Sequence, residues 1–171
     1  MDDLRQKVQA SSTKFEQLVS RVPGFGGYKK KEQRREADKL LRLHIARQYQ
    51  DQLARLEGVQ GALVSSGDLR TVLALERAAT KLQLLIDRLK TASYGYSGLF
   101  DAVKVDEAAL DRLYAFDNSM LDGANTLAAL LDKLAGAVDL QQTPAAEARE
   151  LVSALEKLNA TYSDRQDVLI G

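Results

Sequence analysis

Three groups of residues have the types and spacing to do chemistry. The first is cationic: Lys29, Lys30, Lys31, Arg34 and Arg35 follow directly on the loop Pro23-Gly24-Phe25-Gly26-Gly27-Tyr28. A helix starting near Lys29 would add free N–H groups and the positive end of its dipole to those side chains, a combination that favours a phosphate or an anionic lipid headgroup. The glycines do not form a phosphate-binding P-loop, because the GxxxxGK[ST] spacing and a preceding strand are both missing. Pairing with Asp101, Asp106 or Glu107 would instead make the segment an ordinary solvated helix start.

The second group is aromatic. Phe25 and Tyr28 in one glycine-rich connection, and Tyr94, Tyr96 and Phe100 in another spanning 93–105, could form a recognition surface for a protein partner. They could equally cap the open end of a core, with the neighbouring glycines allowing close approach.

The third is acidic. Asp117 falls on the apolar seam of its helix between Leu113 and Leu121, and Asp38 lies at a similar distance into an earlier helix, with Ser11 near the same level. Such a layer could bind a metal or small molecule, which makes Asp38 and Asp117 the candidates if the chain is an enzyme. Carboxylate metal bundles add Glu-x-x-His pairs, and none occurs here. The expected reading is therefore structural, with Asp117 bonded to an Arg, Lys or Tyr and fixing helix register. His44 is the only histidine and has no nucleophile beside it. No cofactor, metal or catalytic residue is assigned. Nucleic acid is an unfavoured partner, because acids interleave the basic stretch at intrahelical pairing distance: Glu32 with Arg35, and Asp38 with Arg42.

The elements that would position these groups are helices. Leu4, Val8, Ser11, Phe15, Leu18 and Val22 form a seam of alternating four- and three-residue steps that ends at Pro23-Gly24. A long basic helix carries Ala37, Leu41, Ile45, Tyr49, Leu53, Leu56 and Leu63, and Ser65-Ser66-Gly67-Asp68 reads as its turn. The next helix keeps Val72, Leu75, Ala79, Leu82, Ile86 and Leu89 in phase, with Leu73, Leu84 and Leu85 as a second apolar flank that marks it as central. A fourth carries Leu110 to Val138, and Thr143-Pro144 starts a fifth through Ala148, Leu151, Leu155, Leu158 and Tyr162.

The spacing thus predicts an all-α, elongated antiparallel bundle of about five helices in one domain, 1–171, with coiled-coil-like seams. The 171 residues, 45% hydrophobic and 28% charged, suit such a domain. No apolar run approaches the length of a membrane span, the start Met1-Asp2-Asp3 is unlike a signal peptide, and cysteine is absent, so a cytoplasmic location is expected. Net charge is zero but polarised: residues 1–100 hold 18 Lys and Arg against 11 Asp and Glu, and residues 101–171 hold 6 against 13. Two halves of opposite sign that face each other, within one chain or between protomers, would explain the split.

If helix direction alternates, both aromatic–glycine connections fall at one pole. The expected function is a non-enzymatic interaction or scaffold protein that docks a partner, or its own copy, there. Phe25, Tyr28, Lys29, Lys30, Tyr94, Tyr96 and Phe100 would make the contact. Peripheral binding to an anionic membrane through helix 29–42 is the alternative.

Overall fold

A computed structural model describes residues 14–25, 34–92 and 107–170, with side chains over 14–25, 39–92 and 112–165. Among these residues the architecture is all-α: α1 (14–21), α2 (Arg34–Ser66), α3 (Leu69–Thr91), α4 (Glu107–Asp139) and α5 (Ala145–Ile170). Gly58 and Gly61 do not interrupt α2.

Two tight corners make two hairpins. At the α2–α3 corner, Gly67 takes φ 84°, and its N–H donates to the Val64 carbonyl at 3.2 Å. The Asp68 N–H reaches back to the Leu63 carbonyl at 3.3 Å. This is the left-handed helix stop that glycine permits without a Cβ clash. Asp68 then caps α3 by accepting from the Thr71 N–H at 3.2 Å. The α4–α5 corner repeats the geometry with a costlier residue. Gln141, at φ 55°, donates to the Val138 carbonyl, and the Gln142 N–H donates to that of Ala137, both at 2.9 Å. Pro144 accepts the first bond of α5, from the Ala148 N–H at 3.0 Å.

Cross-helix contacts define the topology. Arg42 of α2 donates to the Leu89 carbonyl of α3, and Arg165 of α5 meets Asp117 of α4, so each hairpin is antiparallel. Tyr49 and Arg55 of α2 meet Met120 and Asp132 of α4 in ascending order, so α2 and α4 run parallel. Lys81 and Arg88 of α3 meet Glu156 and Ser163 of α5 likewise. The four long helices therefore form a square in the order α2, α3, α5, α4, and the consecutive helices α3 and α4 occupy opposite corners. The short-connection rule, which makes sequence neighbours spatial neighbours, holds within each hairpin and fails between α3 and α4.

The core runs the length of the square through Leu41, Ile45, Leu56, Leu75, Leu85, Leu127 and Leu155. Gly123 sets the spacing of three helices: a Cβ there would overlap the Leu158 side chain and lie 2.7 Å from the Tyr49 hydroxyl. That hydroxyl donates to the Met120 carbonyl at 2.6 Å, and burial holds its pKa well above the ordinary tyrosine value.

The charge split has a spatial counterpart. Arg21–Asp122, Arg55–Asp132 and Lys81–Glu156 each join a cation from the first half of the sequence to an acid from the second. Arg55–Asp132 and Lys81–Glu156 lie at the seams between the hairpins and Arg21–Asp122 joins α1 to α4, and solvent screening leaves each worth little alone. Their consistent direction fits two oppositely charged hairpins meeting within one chain.

Candidate functional site

The starts of α2 and α4 and the ends of α3 and α5 share one end of the bundle, with α1 packed against it. A buried polar network occupies this end. Asp117 and Arg165 are both buried, and the guanidinium Nε donates to Asp117 Oδ1 at 2.7 Å. Arg42, also buried, donates to the Leu89 carbonyl at 3.0 Å, and Tyr162 donates to the Arg88 carbonyl at 2.9 Å. Both helices that flank α3 thus supply donors to its final turn, where the Arg88 carbonyl also accepts from the Ala92 N–H at 3.2 Å. Arg88 in turn lies over the Tyr162 ring at 4.8 Å and donates to Ser163. The arrangement joins helix ends. Asp117 accordingly follows the structural expectation, and Arg165 is the partner that the sequence left unspecified.

α1 closes the outside of this end. Phe15 packs against Phe25 and Tyr114 at ring distances of 5.5 and 5.6 Å. Asn118 donates to the Lys14 carbonyl and accepts from Arg21, which also reaches Asp122. Gly24, at φ 82°, turns the chain so that Phe25 folds back on α1.

Phe25, expected at a partner-contacting surface, is only 3% exposed and belongs to the core cluster. Tyr28, Lys29, Lys30, Lys31, Tyr94, Tyr96 and Phe100 lie outside the described residues, as do Ser11 and the side chains of Arg34, Arg35 and Asp38. Arg42 cannot serve a membrane-facing basic surface, since it points into the bundle. Lys39, Leu43 and Arg47 are exposed on the neighbouring turns of α2. His44 is half-buried beside Gln48, and burial, then the nearby Arg47 charge, lower its pKa. Among the described residues, no group of three or more His, Asp or Glu stands close enough to hold a metal ion, and no helix is long and apolar enough to cross a membrane.

The outer face of α3 is the feature that sequence reasoning misplaced. Leu73 and Leu84, expected in a central helix, are 59% and 52% exposed, and Leu69 is 64% exposed. α3 is a corner helix, and only Leu85 of the second flank is buried. With Thr80, the three leucines follow a 4-7-4 spacing that sets them in one line along the outside. The signal was present in their phase, which lies opposite that of Leu75, Leu82 and Leu89.

The edges of this ridge differ in charge. Lys81 and Arg88 reach α5, so Arg70 and Arg77, spaced by sevens and fours from them, share that edge. Gln83 and Asp87 line an open groove against Leu53 and Glu57 of α2, and Glu76, seven residues before Gln83, joins that side. An apolar ridge thus runs between a cationic and an anionic edge, with Lys90 the exception in the last turn of the anionic side.

No family model, curated protein or solved structure matches this chain.

Proposed function

We propose that this is a non-enzymatic interaction protein, a helical bundle that docks another helical surface along the outside of α3. The observation that carries this reading is the exposure of Leu69, Leu73 and Leu84 in one line on a well-packed bundle. Scattered surface leucines need no explanation, but an aligned ridge with polar edges has the pattern of a helix-docking face. The square bundle supplies rigidity, and the buried polar network keeps the helix ends in register, so the ridge is presented preformed.

Site-specific photo-crosslinking tests the proposal. A photoreactive residue at position 73 or 84 should capture a protein, and one at Asp164, on the outside of α5, should not. Equal yields at the three positions, or none at 73 and 84, would remove α3 as the docking face. The alternative pole surface rests on one observation, the convergence of the chain segments flanking 26–33 and 93–106 at one end. In a pull-down, alanine replacement of Lys29, Lys30 and Tyr96 together should abolish partner recovery if that end is the site, and should leave it unchanged if α3 is.

A further inference from the structure

We infer that the partner docked on α3 is a second copy of this chain, paired in parallel about a two-fold axis running along the helix. This rests on α3 being the docking face and adds which molecule covers it. The charge pattern selects the partner. Arg70 and Arg77 follow the α5-facing edge of the leucine ridge, and Glu76, Asp87 and Glu57 of α2 follow the other. All five side chains are exposed. A two-fold axis parallel to a helix turns the left edge of one copy toward the right edge of the other, as in parallel helix pairs, where flanking charges choose partner and orientation.

At the level of residues 76 and 77, Arg77 of each copy then faces Glu76 of the other, and symmetry makes the contact twice. Glu57 stands at a similar height, because α2 descends as α3 rises from the Gly67 corner, and it adds negative charge where Arg77 arrives. Leu69, Leu73, Thr80 and Leu84 meet their own counterparts along the axis, the self-complementary contact that a two-fold interface requires. An antiparallel pairing would bring like edges together, with Arg77 against Arg77 and Glu76 against Glu76, and is disfavoured by repulsion at its centre. α3 occupies a corner of the square, so the second bundle approaches without displacing a helix.

Charge reversal tests both the partner and its orientation. Wild type, Arg77→Glu, Glu76→Arg and the double variant are compared by sedimentation equilibrium, with circular dichroism to confirm folding. Wild type should be dimeric. Each single reversal converts two symmetric attractions into repulsions and should weaken association by about tenfold at low salt. The double variant restores opposite charges across the axis and should recover most of that loss. Leu73→Glu should give folded monomer. A monomeric wild type, single variants that associate like wild type, or a double variant as weak as the singles would overturn the two-fold pairing. Crosslinks from position 73 to a different protein would overturn self-association and leave α3 as a docking face.

Discussion

Replacing Gly123 of α4 with alanine adds one methyl group where Tyr49 of α2 and Leu158 of α5 close on the backbone. The new Cβ would overlap Leu158 and lie 2.7 Å from the Tyr49 hydroxyl, and Leu158 can turn whereas the phenol end of a buried tyrosine cannot. Overpacking of this kind costs about 1–3 kcal/mol. Displacing the hydroxyl from the Met120 carbonyl adds about 1–3 kcal/mol for a buried polar group that loses its partner. Alanine returns about 1 kcal/mol through its better helix propensity. The net is a loss of about 3 kcal/mol, which for a chain of this size lowers the melting temperature by roughly 6–12 °C. A double-mutant cycle with Tyr49→Phe, followed by thermal and urea denaturation, separates the parts. In wild type Tyr49→Phe should cost about 1 kcal/mol, and in the alanine background it should cost nothing or restore stability, because it removes the atom the methyl strikes. Strict additivity, or a Gly123→Ala variant as stable as wild type, would show that α2 and α4 do not meet this closely.

Further substitutions probe the corners and the buried pair. Gln141→Gly should raise stability by about 1 kcal/mol by relieving a left-handed side-chain residue, and Gly67→Ala should lower it by a similar amount, both read from urea midpoints. Asp117→Asn, which leaves Arg165 buried without its carboxylate, should cost about 3–5 kcal/mol, whereas replacing the pair by Leu and Met should retain stability near that of wild type. The lowered pKa of His44 means that the unfolded chain binds its proton more readily. Stability from this group is therefore present above the ordinary value of 6.5 and declines as pH falls through it. His44→Gln should shrink the drop in melting temperature between pH 7 and pH 5.

The fold was legible because most of the information was local. The phases of Leu75, Leu82 and Leu89 and of Leu151, Leu155 and Tyr162 identify helices, and Gly67-Asp68 and Pro144 place their ends. The second corner could be located but not its left-handed Gln141, a backbone state that glutamine does not signal. What escaped was lateral order. Periodicity shows that a helix has a buried face but not how many neighbours cover it, so Leu73 and Leu84 read as a second apolar flank of a central helix although α3 stands at a corner. Asp117 was recognisable from its position on an apolar seam. Arg165 was hidden because a long basic side chain near the end of a helix reads as solvated. Phe25 was ambiguous on composition alone, and the turn at Gly24 decided its burial.

A single cysteine in this cysteine-free chain gives the most direct measurement. Parallel two-fold pairing places position 80 against itself, within the short Cα separation that a disulfide bond requires. Thr80→Cys under mild oxidation should therefore form a covalent dimer rapidly, with the helical content and melting of the parent retained, while Asp164→Cys stays monomeric. A Thr80→Cys protein that crosslinks no faster than Asp164→Cys would contradict the interface on α3.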